Sequence, residues 1–407
     1  MKTPRSSALR KTVRVTQQAR PGFTIIEVMV AMGLTSVVAV GLYTLSMVAS
    51  QTFQQQQRVS EMQLRLRSAM ELLRSDLQRA GYGSTPNSAV DPAVCPRPAV
   101  VLQAVSVARE SPNPTILPGD NRFVDPMRLT LVGNFASTDE YKIGAVNANR
   151  LSIQHRWDEW ERVRSAEDMN RLFPPGRIVR VRGLDGNMQF GTVRSTTFRD
   201  ARQPIGTMPT IDLEQPLAVT NGTTMGCGYS STTGWIAPVS IVEYRIANVA
   251  AQQPNAYVGS PAFVANKTDL VRREYRIVGG ALAAIPNSET IVAEYAVDLA
   301  IGASFDEGLT ITNEPRIVRY DFNHATVLQR LGPPTAGTSQ AHRARSIVFR
   351  LSVRDRMQDP EFAWSQRASA LLPLTRFRLD AVLPGAARVR TATSEVALVN
   401  VAPRNLR

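Results

Sequence analysis

Cysteine and histidine are scarce in this chain. Its 407 residues hold two cysteines, Cys95 and Cys227, and three scattered histidines, His155, His324 and His342. Neither cysteine has a Cys-x-x-Cys partner, and the histidines have no metal-ligand spacing, so no metal site and no redox-active dithiol is expected. Enzyme signatures are missing as well: there is no nucleophile elbow, phosphate-binding Walker loop, His-Glu-x-x-His or dinucleotide fingerprint. Gly183-Leu-Asp-Gly-Asn187 reads as a turn, because no helix follows it. Asp158-Glu159 and Asp306-Glu307 are chain neighbours, so their side chains diverge on a helix or a strand. The expectation is a protein without catalysis, cofactor or metal.

Two further absences shape the N-terminal part. Residues 1–22 contain no acid, against six basic residues: Lys2, Arg5, Arg10, Lys11, Arg14 and Arg20. From Val28 to Gln57 there is no ionisable group except the Tyr43 phenol, and no proline occurs between Phe23 and Ala80. Nothing interrupts a helix there. The stretch from Val28 to Ala49 is about the roughly 20 residues that cross a bilayer.

Between the basic leader and the apolar run stands Arg20-Pro-Gly-Phe-Thr-Ile-Ile-Glu-Val-Met-Val. A secretory signal peptide is cut after its apolar region. Here Gly22 precedes that region, so a cut at Gly22 leaves the helix on the mature chain. Glu27 is the one charge inside the apolar run, and a carboxylate at that depth is costly. It has two readings. It is a headgroup-level or helix-terminus residue, or it pairs with the free amine that a cut gives to Phe23 of a neighbouring subunit.

Leader, Gly, Phe-Thr-x-x-Glu and hydrophobic helix together resemble the class III signal of type IV pilins and pseudopilins. The resemblance implies a prepilin peptidase cut between Gly22 and Phe23, N-methylation of Phe23, and a subunit-docking role for Glu27. It also implies a precursor held in the inner membrane with its globular part in the periplasm, which the basic leader fits.

Beyond a polar collar at 51–57, Val59, Met62, Leu66, Ala69, Leu73, Leu77 and Ala80 recur at steps of three and four, the stripe of an amphipathic helix. Gly81 supplies its stop, followed by Tyr82-Gly83 and Pro86. The ending Leu77-Gln-Arg-Ala-Gly-Tyr-Gly is similar to the PilW type of minor pilin. So are the Leu129-Thr-Leu strand after Asp125, Leu270-Val-Arg-Arg-Glu274, and the closing Thr393 to Asn400 segment. A coiled coil with another chain is the ordinary alternative for residues 51–80.

After residue 84 the chain reads as mostly β. Strands are expected at 99–107, 128–133, 235–246, 269–278, 299–305, 346–354, 376–382 and 391–400, with 287–299 ambiguous between helix and strand. A hairpin is expected across Asp185-Gly186, and a short helix across 155–172. In the strand at 346–354, Ile347, Phe349, Leu351 and Val353 point one way; Ser346, Val348, Arg350, Ser352 and Arg354 point the other. Residues 137–171 and 248–266 read as insertions. The fold class is α+β: a leader (1–22), a transmembrane or filament-core helix (23–50), its amphipathic continuation (51–83), and a β-rich domain (84–407). In an exported domain Cys95 and Cys227 are candidates for a disulfide.

The PilW resemblance implies a minor pilin that primes assembly and sits in a pilus tip complex. Its partners would be the peptidase, other minor pilins and the major pilin, the assembly platform, a tip adhesin and the inner membrane. Two alternatives stay open. One is a J-type pseudopilin of a type II secretion system. The other is a tip subunit holding DNA, suggested by the net charge of +13.

Overall fold

The computed structural model describes residues 22–111, 121, 123–147, 149–154, 165–198, 208–218, 234–249, 267–309, 314–333, 339–380 and 382–402. The chain divides into two units, Met1–Arg58 and Val59–Arg407. One helix, α1 (Ile25–Arg79), contributes to both. In the first unit every described residue is exposed, and α1 has the length and apolar composition to cross a membrane. In the second unit Met62, Leu66, Ala69, Leu73 and Leu77 of α1 are buried, as the stripe requires. The helix stops where expected. Gly81 takes φ +79°, a conformation that a residue with a Cβ resists, and its N–H donates to Val132 O at 2.8 Å.

Two antiparallel sheets fill the second unit. In the larger, β1 (Val105–Arg109) pairs with β2 (Met127–Gly133). The ladder then closes on itself. β3 (Tyr141–Asn147), β4 (Arg150–Ile153), β5 (Ile178–Gly183), β6 (Met188–Thr197), β7 (Thr210–Leu213) and β8 (Gly234–Ala247) pair in the order β8-β3-β4-β7-β6-β5, and β5 pairs back to β8. That is a six-stranded barrel. Closure removes the unpaired edges an open sheet would present. Tyr141, Ile143, Leu151, Val179, Val181, Val193, Ile211, Leu213 and Ile236 fill it. The short helix α2 (Ala166–Leu172), capped by Ser165 accepting from Asp168 N at 3.1 Å, adds Met169 and Leu172.

The shared element is β8. Its first half belongs to the barrel, where Ile236 lies opposite Tyr141 and Val181. Its second half, residues 240–247, pairs with β2 and with β9 (Asp269–Val278). β10 (Ala281–Ala284) and β11 (Thr290–Glu294) complete the sheet by pairing with β9. The barrel is therefore a contiguous excursion between β2 and β9, anchored through one long strand.

The second sheet has the order β13-β12-β14-β16-β15: β12 (Ala296–Leu309), β13 (Pro315–Tyr320), β14 (Ala344–Arg354), β15 (Arg376–Phe377) and β16 (Ala387–Ala397). A helix α3 (Ala325–Arg330) follows β13. The main core joins the α1 stripe to Leu129, Leu131, Val242, Tyr244 and Ile246 of the first sheet. It continues into Leu299, Ile301, Phe349 and Leu351 of the second.

Several expectations are corrected. Residues 137–171, read as an insertion, supply two barrel strands and most of α2, and the excursion runs on to β8. The strand expected at 99–107 begins at Val105, because residues before it pair only through an isolated Asn87–Gln103 bridge. The ambiguous 287–299 stretch is strand, broken at Tyr295, whose φ is +58°. At 376–382 only two residues pair. Of the helix expected at 155–172, residues 155–164 lie outside the described residues, as does most of the insertion expected at 248–266. Both faces of β14 are buried, Arg350 and Arg354 included. The connection after β14 covers the face that carries Arg350. Arg350 donates to Leu371 O and Ala370 O of that connection at 2.8 and 2.7 Å.

Candidate functional site

The N-terminal residues of α1 are positioned by their own sequence. Thr24-Ile25-Ile26-Glu27 is a Thr-x-x-Glu capping box, which satisfies helix N–H groups that have no intrahelical acceptor. The structure forms it in both directions. Glu27 N donates to Thr24 Oγ1 at 3.2 Å, and Glu27 Oε2 accepts from Thr24 N and from Thr24 Oγ1, each at 3.0 Å. The carboxylate is thus held at the helix N-terminus, where the macrodipole favours negative charge.

Gly22 and Phe23 precede the helix, in non-helical backbone, and both are exposed; Phe23 is 87% exposed. A peptide bond must be free of helical hydrogen bonding to enter a protease cleft, and this one is. A Cβ built on Gly22 meets nothing within 4 Å. Gly22 and Phe23 thus lie just outside the helix and Glu27 in its first turn. Thr24 is the member of this group that carried no role in the sequence reading; the Thr-x-x-Glu spacing was its signal.

Cys95 is placed elsewhere, in the loop after α1. Val94 forms a parallel bridge with Met188 of the barrel, and Cys95 N donates to Met188 O at 3.0 Å. Cys95 is disulfide-bonded; Cys227 lies outside the described residues. Among the described residues no group of three His, Cys, Asp or Glu could hold a metal ion.

One polar site went unread in the sequence. Asp76 stands on the buried stripe of α1, 6% exposed. Its Oδ2 accepts from Tyr244 Oη at 2.6 Å and from Arg272 Nε at 3.0 Å. Burial pushes the Tyr244 phenol up, and the Asp76 carboxylate pushes it further. Burial opposes the Arg272 charge, but Asp76, Tyr244 and Glu274 outweigh that and raise it. An acid three residues from Leu73 and four from Ala80, on the apolar face, was the available signal.

The arrangement is a capping-box carboxylate just after an exposed Gly-Phe bond, at the start of a long apolar helix. The family model for the prokaryotic N-terminal methylation motif matches residues 18–43. This supports a class III signal of the type IV pilin-like or pseudopilin kind, which implies processing by prepilin peptidase and contact with other pilins. No curated protein and no solved structure matches the chain.

Proposed function

We propose that the chain is a minor pilin of the PilW type, cut between Gly22 and Phe23, methylated at Phe23, and incorporated near the tip of a type IV pilus. The observation that carries this is the junction itself: an exposed, non-helical Gly22-Phe23 followed by a Glu27 held at the start of an uninterrupted 55-residue helix. Before assembly, Thr24 satisfies the Glu27 carboxylate with neutral donors, which lowers the expense of a charge at the membrane boundary. After the cut, the Phe23 amine of a neighbour offers a charged donor. In a low-dielectric helix bundle an ion pair is stronger than its counterpart in water. That exchange would favour axial registration of subunits. The motif fits a J-type pseudopilin equally, and the helix would then serve a short secretion filament.

The remaining assignments belong to the same proposal. The β domain selects neighbours and takes no catalytic part. Cys95 and Cys227 form the disulfide that ties the loop after α1 to the barrel segment. DNA binding is the weakest alternative; salt-dependent retention of the solubilised protein on DNA would support it. The machine is decided by deleting the gene and scoring pili against secreted enzymes. Loss of pili with intact secretion supports the minor pilin; intact pili with lost secretion overturns it in favour of the pseudopilin.

A further inference from the structure

Four charged side chains of alternating sign run from the long helix to the barrel. Asp76 of α1 accepts from Arg272 of β9 at 3.0 Å. Arg272 Nη1 donates to Glu274 Oε1 at 3.2 Å. Glu274 Oε2 accepts from Arg177 Nη2 at 3.1 Å. Arg177 Nη1 then donates to Arg171 O and Leu172 O, the last carbonyls of α2, at 2.8 and 3.0 Å. A cation at a helix C-terminus meets the negative end of the helix dipole and unpaired carbonyls.

The path is largely withdrawn from solvent: the side chains of Arg177, Arg272 and Glu274 are 10%, 18% and 22% exposed. Exposed ion pairs contribute little. A buried charge that loses its partner is strongly unfavourable. Here each interior member has two opposite neighbours, so removing Glu274 leaves Arg272 with Asp76 alone and Arg177 with only the α2 carbonyls. The elements joined are otherwise distant in function. Arg272 and Glu274 lie two residues apart on one face of β9, Asp76 is on the helix, and Arg177 immediately precedes β5. Gly176 shapes the far end. Its φ is +87°, which favours glycine, and a Cβ there would stand 2.7 Å from Cδ of the Arg276 side chain, which would have to shift.

We propose that Asp76, Arg272, Glu274 and Arg177 form a relay that registers the inserted barrel to the long helix, so that a displacement at one end is felt at the other. These are positioning residues. Resting on the filament reading above, the barrel presents its outer surface to partners in one orientation relative to residues 59–79 of the helix.

The test is hydrogen exchange on the full chain in detergent, comparing wild type with Glu274→Gln, which keeps shape and removes charge. The relay requires faster exchange at both residues 73–79 and residues 166–172, by at least about threefold. A change at one end only, or confined to β9, overturns it. Tyr244→Phe deletes one bond to Asp76 and leaves the relay whole, so residues 166–172 should not respond; an equal response there reflects general softening and overturns the proposal. Should Glu274→Gln not fold, Asp76→Asn and Arg177→Gln are combined in a double-mutant cycle. Their side chains are joined only through Arg272 and Glu274, and independent sites multiply. The relay requires the unfolding constant of the double variant to depart from the product by at least about threefold; agreement within about twofold overturns it. Exchange is measured alike on cut or uncut protein, so neither outcome bears on processing.

Discussion

Residues 25–58 of α1 carry Glu27, Arg58 and otherwise no charge, and every one of them is exposed. Residues 59–79 of the same helix alternate charged and apolar positions, bury five apolar side chains, and hold a buried acid locked to two strands. In the first half no side chain is buried by the fold, so its environment is set by solvent, lipid or neighbouring helices. The second half has one face that fits one sheet. A single helix thus combines a segment that can exchange partners with a segment that cannot. Glu27 and Asp76 make the same point for acids. Glu27 is satisfied within its own turn by Thr24, whereas Asp76 depends on Tyr244 and Arg272, more than 160 residues away in sequence.

This contrast can be broken by paired substitutions. The largest effect is expected at Leu73, which is fully buried: Leu73→Ala should lower the stability of the second unit by about 2–5 kcal/mol in denaturant unfolding. Leu45→Ala, 68% exposed in the first half, should leave that transition unchanged. Equal losses at both sites would abolish the distinction. Next, Asp76→Ala leaves the Tyr244 hydroxyl and Arg272 without their acceptor and should cost about 2–4 kcal/mol. Replacing Glu27 by Ala should leave the same transition where it was.

A second buried acid sharpens the comparison by pH. Asp298 is 1% exposed. Burial is the main influence on its carboxyl and pushes it up to about 6; Asp125 adds to this, and Arg350 and Arg367 offset part of it. The two guanidinium groups stand 3.8 and 3.5 Å from Oδ2. The folded carboxyl therefore holds its proton more tightly than the unfolded one. Stability should fall as pH rises from about 4 to about 6 and level off above, by at most about 3 kcal/mol. Asp298→Asn should flatten that slope in unfolding curves taken between pH 4 and 7; an unchanged slope would assign it to other groups. The smallest effect on folding, and the most specific in cells, is expected at Glu27. Glu27→Ala should insert normally and reduce the number of filaments, and normal filament number would remove the docking role.

Local rules carried much of the fold. The stripe from Met62 to Leu77, the Gly81 stop and the Asp185-Gly186 hairpin each rest on neighbours in sequence, and each forms as read. The Thr-x-x-Glu box is as local, since all its partners lie within four residues, but it was not read from the sequence. The rest of what escaped depends on distant pairing. The barrel needs β5 to return to β8, more than fifty residues on, and no periodicity announces closure. The alternation in β14 described its two faces correctly but could not show that the connection after it covers the one that carries Arg350. Asp76 was hidden because its partners, Tyr244 and Arg272, are brought opposite each other only by the pairing of β8 with β9.

The central claim is that Gly22-Phe23 is a processing junction and that the helix beginning at Ile25 stays on the mature protein. The most direct test is the intact mass and N-terminal peptide of the protein from cells with and without prepilin peptidase. The expected result is a mature chain beginning at methylated Phe23 whenever the peptidase is present and an uncut chain when it is absent. An uncut chain in both strains, or a cut beyond Ala49, would contradict the claim and with it the role given to Glu27.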